Sequence, residues 1–211
     1  KTKLITGIPY STYNQTKRQV YNSVVMISSD SISELYHKIK LVPMAEYIPL
    51  SEIFPLLNNF TLGVLGTYKR GTDYTMFDIK GIKCAPMVCI ESTFPSLNRQ
   101  FVALGAEILI YVVNDGWYEK PPGPQQHAKQ AIYRAIENRR PVIRCANTGI
   151  SQTIDKTGNI TNKLELNKAG AISANIVPSS GRTFYAKYGD GFAIINILLL
   201  TILLGLCFKR K

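Results

Sequence analysis

Two short segments of this 211-residue chain carry residue types able to run covalent acyl chemistry. In the first, Ala85-Pro86-Met87-Val88-Cys89-Ile90-Glu91-Ser92-Thr93-Phe94-Pro95, an apolar run ends in a cysteine. A short polar turn follows, then a proline that opens a helix. A thiol at a strand-to-helix turn is held rigidly at the sheet edge, with backbone N–H groups nearby for an oxyanion. The pattern by itself is weak, because cysteine is among the commonest core residues and an inert Cys89 satisfies it equally well. The second segment, Tyr36 to Leu50 (YHKIKLVPMAEYIPL), sets Lys38, Lys40 and Glu46 in an apolar framework. In an extended strand Lys38 and Lys40 share a face. A lysine beside a thiol favours the thiolate and can later hold the oxyanion of an acyl intermediate. Whichever lysine faces away from the site is an ordinary solvated side chain.

The elements that must position these groups alternate. β-rich runs recur at Leu4–Ile8, Asn22–Ser28, Ile82–Ile90, Glu107–Val113, Val142–Ala146 and Gln152–Ile154. Two stretches read as helices: Ser96–Leu104 after Pro95, and Gln125–Asn138, which puts Ala128, Ala131, Ile132, Ala135 and Ile136 on one face. Asp155-Lys156-Thr157-Gly158 reads as a hairpin turn leading into a further strand. Strand, helix, strand, helix, strand in this order predicts an α/β fold, with Met87-Val88 and Ile108–Val113 as strands buried on both faces.

The C-terminus has a different character. Phe192 to Phe208 (FAIINILLLTILLGLCF) carries no charge and no polar stripe, and it stops at Lys209-Arg210-Lys211. Residues 189–208 are expected to cross a membrane, at the short end of the roughly 17–25 residues required. Because flanking cations stay cytoplasmic, residues 209–211 are expected inside and everything before Asp190 outside. The alternative is a core helix at the end of the fold. The formal charge of +11 is spread along the chain without a nucleic-acid-binding motif, so a membrane surface or an anionic ligand is the better-matched partner. Cys84, Cys89, Cys145 and Cys207 with His37 and His127 form no zinc pattern, and no metal is expected. A disulfide stays open on spacing alone. The chain opens at Lys1 without a methionine and runs directly into a strand-like segment, so residues are expected to precede it in the full protein.

Together the two segments resemble the Lys and Cys motifs of the nitrilase superfamily, whose members use a Glu–Lys–Cys triad. Within it the chain is most similar to the apolipoprotein N-acyltransferase family. LVPMAEYIPL and VCIESTFP resemble that family's LVPFGEFVPL and ICYESIFP. Asn114-Asp115-Gly116-Trp117-Tyr118 resembles NDAWFG, Gly123-Pro124-Gln125-Gln126-His127 resembles GPxQH, and Arg144 to Ile150 resembles RxxNxGIS.

The resemblance implies a partial α-β-β-α sandwich over residues 1–188, followed by the membrane helix. It implies Cys89 as nucleophile, Lys38 as stabiliser of thiolate and oxyanion, Glu46 as the residue assisting that lysine as a supporting acid or base, and Glu91 as a support for the loop. Trp117 would line an acyl pocket, with packing as its plainer role. His127 is expected to make structural hydrogen bonds, and Cys84 and Cys145 to be structural. The implied reaction moves an acyl chain from a phospholipid donor through a Cys89 thioester to the amine of a diacylglyceryl apolipoprotein. It would take place at the outer side of a bacterial inner membrane, without a cofactor. Two departures stand out. The family's tyrosine after the nucleophile is Ile90 here, and the triad's first glutamate matches no residue, so the chain is expected to be catalytically incomplete. A membrane-tethered amidohydrolase, with water in place of the amine, and a nitrilase-like domain that binds without reacting are the alternatives.

Overall fold

A computed structural model describes residues 2–14, 17–29, 31–50, 53–54, 56, 68–118 and 122–209. Three strands open the chain: β1 (Lys3–Asn14), β2 (Lys17–Ser28) and β3 (Ser31–His37) form an antiparallel sheet in that order. Alternation decides which face is buried: Val24 and Met26 of β2 and Tyr36 of β3 point into the core. Six further strands make a second sheet in sequence order: β4 (Phe77–Ile79), β5 (Ile82–Val88), β6 (Ile108–Val113), β7 (Val142–Ala146), β8 (Ser151–Ile154) and β9 (Ile160–Leu164). The central trio β5, β6 and β7 is parallel, and both ends are antiparallel. Parallel strands need covering on both faces, which is why Cys84–Val88 and Ile108–Ile110 are apolar without a break.

One cover is the three-stranded sheet. The two sheets come so close at Gly7 that a Cβ there would sit 3.0 Å from Val112 Cγ1. The other cover is α1 (Pro95–Ala103) and α2 (Gly123–Asn138). Ala128, Ala131 and Ala135 give α2 a face of small side chains against the sheet, and α1 buries Leu97, Phe101 and Val102. Tyr111 on β6 donates to Asn98 Oδ1 of α1 at 2.6 Å, which gives the tyrosine hydroxyl buried between the two a partner. The fold is therefore the expected nitrilase-like α/β arrangement, with sheet, sheet and helices as three layers.

Two strands escaped the sequence reading. SISELYH (β3) alternates too little, because it is an edge strand whose first three residues are exposed. β4 has only three residues. The expected strand through Lys38 and Lys40 ends at His37, and its consequence is described below. The expected hairpin is present: Asp155 Oδ1 accepts from the N–H groups of Thr157 and Asn159 between β8 and β9.

After β9 the chain returns to the helical layer. Arg140 is buried and holds the carbonyls of Ala106, Ser180 and Gly181, which ties this return segment to the domain. A short α3 (Phe184–Tyr188) leads into α4 (Gly191–Lys209). Among the described residues α4 is the one helix long and apolar enough to cross a membrane. None of it is buried against the domain, so the core-helix alternative finds no packing partner here. Its 18-residue apolar span, Gly191–Phe208, is about 27 Å long at 1.5 Å per residue. Arg210 and Lys211 of the basic tail lie outside the described residues.

Candidate active site

β5 delivers Cys89 to the carboxyl edge of the parallel strands and then stops. Cys89 takes φ +50°, and a 3-10 turn runs from it to Thr93. A left-handed conformation in a non-glycine residue costs about 1–3 kcal/mol and persists only where its surroundings impose it. Glu91 is part of that imposition. Its fully buried carboxylate accepts from Val88 N at 2.7 Å on one oxygen. On the other it accepts from Tyr36 Oη at 2.8 Å, Ile39 N at 2.7 Å and Lys40 N at 2.9 Å. One side chain thus joins the cysteine segment to the lysine segment across the two sheets. Burial pushes the Glu91 carboxyl up, against the pull of these hydrogen bonds toward the carboxylate. Burial and the neighbouring Glu91 push the Tyr36 hydroxyl up as well.

The same contacts overturn the expectation that Lys38 and Lys40 share a face. To present the N–H groups of Ile39 and Lys40 to Glu91, the chain leaves the strand at His37. Lys38 consequently turns inward and is 1% exposed, while Lys40 lies over the Phe94 ring at 5.7 Å. Lys38 Nζ sits 2.8 Å from each oxygen of Glu46. Those oxygens also accept from Asn22 Nδ2 at 2.7 Å and from Val42 N at 2.8 Å. Every acceptor position of Glu46 facing the site is therefore in use.

Cys89, Lys38 and Glu46 line one cavity of about 690 Å3 between the sheets, with Asn22, Tyr68 and Asn114 as polar neighbours. Gly7, Ile8, Val42, Val88 and Val112 give it apolar walls. Trp117, 51% exposed, and Tyr118 also line it, and so does Ile90. Cys145 lines it too and is exposed, against the expectation of a packing residue, because it sits at the end of β7 facing away from the helices. Cys84 is buried in β5, where burial pushes its thiol up to about 12. All four cysteines are free.

The Cys89 thiol approaches Asn114 O at 3.6 Å. Burial pushes it above its ordinary value, and the Lys38 charge is the largest influence in the opposite direction. Glu46 raises it by less than Lys38 lowers it. Removing the ion pair as a unit, in Lys38→Met with Glu46→Gln, strands no buried charge. The net change removes more lowering than raising. Alkylation of Cys89 by iodoacetamide, followed against pH, is therefore expected to turn on at higher pH in the double variant than in the parent. A midpoint that stays put or moves down contradicts the influence of Lys38.

Behind the cysteine lies a second network in which the sequence reading had assigned no role to Asp115 or Arg144. His127 Nδ1 is 2.7 Å from Asp115 Oδ1, and Arg144 Nη2 donates to Asp115 Oδ2 at 2.7 Å. His127 Nε2 lies 3.1 Å from both Ser92 Oγ and the carbonyl oxygen of Cys89. Ser92 Oγ donates to that same carbonyl at 2.9 Å. Burial would raise the Asp115 carboxyl, but the hydrogen bonds from His127 and Arg144 hold it below its usual value. Gly149 has no room for a Cβ, which would overlap the Asp115 carboxylate. The signal for this network was present in the Asn114–Tyr118, Gly123–His127 and Arg144–Ile150 blocks. Its members come from a loop, α2 and β7, so only the fold joins them. Donor atoms of Cys89, Asp115 and His127 also fall within 4.8 Å of one another. Both ring nitrogens and both carboxylate oxygens are already engaged, so the thiol is the one donor left for a metal, too few for a site.

A family model described as carbon-nitrogen hydrolase matches residues 1–185. The apolipoprotein N-acyltransferase of Geobacter metallireducens is 32% identical over 213 residues, covering 100% of this chain and 40% of that protein. The apolipoprotein N-acyltransferase of Rickettsia typhi is 36% identical over 214 residues, covering 97% of this chain and 42% of that protein. The chain thus spans about two-fifths of the length of these curated relatives. Among solved structures, a carbon-nitrogen hydrolase from Helicobacter pylori superposes with a TM-score of 0.56 at 20% identity, over 77% of this chain and 57% of that one. At that identity the likeness is one of fold.

Proposed function

Since the chain belongs to the carbon-nitrogen hydrolase family, we propose that it is the catalytic portion of a membrane-bound acyltransferase working through a Cys89 thioester. The observation that carries this reading is Cys89 held at positive φ in an apolar-walled cavity with the Lys38–Glu46 pair. The names of the relatives and the apolar α4 support a lipid setting over a soluble amidase.

In the proposed reaction the Cys89 thiolate attacks the carbonyl carbon of a phospholipid acyl ester. The C–O bond breaks, and the lysophospholipid oxygen leaves with a proton. The resulting thioester is attacked by the free amine of a diacylglyceryl-cysteine at the start of an apolipoprotein. The C–S bond then breaks, the amine proton goes to the base, and the thiolate returns. Lys38 carries the positive charge that stabilises each tetrahedral oxyanion, with backbone N–H groups beside Cys89. Glu46 holds Lys38 in place. Its oxygens are committed to Lys38, Asn22 and Val42, so we assign the general base to the triad's first glutamate, which matches no residue of this chain. Trp117 and the apolar walls receive the acyl chain. With α4 crossing the inner membrane and its basic end inside, the domain stands on the extracytoplasmic face.

The test uses the full-length protein in membranes with a labelled phospholipid, followed by a diacylglyceryl peptide. A hydroxylamine-sensitive adduct on Cys89 that passes to the peptide amine is expected. An adduct lost only to water makes the protein a hydrolase, and no adduct at all leaves a binding role.

A further inference from the structure

We infer that His127 is a positioning residue for the nucleophile: braced by Asp115 and Arg144, it holds the backbone carbonyl of Cys89 and so fixes the direction from which the thiolate meets the acyl carbonyl. The inference rests on the reading of Cys89 as the nucleophile.

The geometry separates this role from that of a base. His127 touches the carbonyl oxygen of Cys89 at 3.1 Å, whereas the hydrogen bond of the thiol itself goes to Asn114 O. Both ring nitrogens are engaged, Nδ1 with Asp115 and Nε2 with Ser92 and Cys89 O. With Nε2 directed at Ser92 and the Cys89 carbonyl, the ring faces that peptide unit rather than the thiol. What it holds is the peptide unit that most needs holding. At φ +50° Cys89 gains by relaxing toward ordinary backbone angles, and relaxation would turn the thiol off its line of attack on a bound acyl carbonyl. Two bonds to one carbonyl, from Ser92 and His127, oppose that relaxation.

The brace is built to stay put. His127, Asp115 and Arg144 are all buried, and Arg144 also donates to the carbonyl of Ile150. Gly149 leaves space for the Asp115 carboxylate and for nothing larger. This is the arrangement expected of residues that align a reacting atom through a neighbour.

Two substitutions separate the ring's two contacts. Asn at 127 offers a donor near the Nδ1 position, toward Asp115, but is too short to reach the Cys89 carbonyl. Gln places its amide near the Nε2 position and reaches that carbonyl. In the full-length enzyme in membranes, acylation of Cys89 by labelled phospholipid is expected to fall about 100-fold in His127→Asn, the cost of misplacing a reacting group by about 1 Å. His127→Gln should recover most of that loss. Gly149→Ala, whose Cβ would displace the Asp115 carboxylate, should reproduce the defect.

Alkylation of Cys89 by iodoacetamide, a small reagent needing no alignment with Lys38, should keep its rate and its pH midpoint in the 127 variants. The other charged or titratable groups acting on the thiol are Lys38, Asp115, Glu46 and Tyr118, and these substitutions leave them in place. Cys84, buried in the core, should stay unmodified and so report an intact fold. Equal acylation in His127→Asn and the parent overturns the inference. So does a parallel loss of acylation and alkylation, or exposure of Cys84, each of which makes the role purely structural. A shifted alkylation midpoint makes His127 an ion-pair partner of the thiolate instead. If the unsubstituted enzyme forms no adduct, it is the nucleophile reading that fails.

Discussion

Replacing Cys89 by serine is expected to bring acyl-adduct formation from phospholipid to background while leaving the fold unchanged. Serine matches cysteine in shape, and Cys89 Sγ makes one weak contact, to Asn114 O at 3.6 Å. An oxygen in its place can keep that contact, so no packing or buried bond is lost. The chemistry is another matter. A thiol reaches the thiolate within a few units of neutral pH, and a serine hydroxyl does not without a positioned base. Glu46 cannot serve as that base, with its oxygens held by Lys38, Asn22 and Val42. The measurement is mass spectrometry of the labelled protein, alongside its thermal melting curve. Adduct on the serine variant at the parent level would remove Cys89 from the reaction. A melting temperature far below the parent's would show that the thiol supports the fold.

The second large effect is expected at Glu91, and there stability and activity should separate by substituent. Glu91→Ala leaves the N–H groups of Val88, Ile39 and Lys40 without their acceptor. Each stranded buried donor costs about 1–3 kcal/mol, and a whole domain has only about 5–15 kcal/mol to lose. The alanine variant should lose much of the domain's stability and melt far below the parent. Glu91→Gln can keep its oxygen toward Tyr36, Ile39 and Lys40, which places the amide nitrogen against Val88 N. That loses one bond, about 1–3 kcal/mol, and the bond lost is the one that fixes the residue before the nucleophile. The glutamine variant should therefore fold, melt somewhat earlier, and acylate Cys89 far more slowly than its small loss of stability implies. Urea unfolding and single-turnover acylation on the same preparation check this. Equal losses in both would reduce Glu91 to a packing residue.

The residue types and their order were enough to expect an α/β fold, and the resemblance of the motifs added the sandwich and the grouping of Cys89, Lys38 and Glu46. Long-period signals survive in sequence: buried parallel strands read as unbroken apolar runs, and α2 shows its alanine face at helical spacing. The apolar, charge-free α4 is legible for the same reason, since a helix with no polar stripe has few other uses. The edge strands β3 and β4 were not legible, because one is exposed at its start and the other is only three residues long.

What only the tertiary structure decided is which side chains meet. Lys38 and Lys40 look equivalent along the chain. Their difference arises because Glu91, more than fifty residues away, draws the N–H groups of Ile39 and Lys40 and turns the backbone out of the strand. Asp115, His127 and Arg144 sit in three separate blocks, and nothing in their spacing says that they converge behind the Cys89 carbonyl. Local sequence sets periodicity and turn chemistry. Contacts across sheets and layers depend on register and crossover, and these are fixed only when the buried faces have found each other.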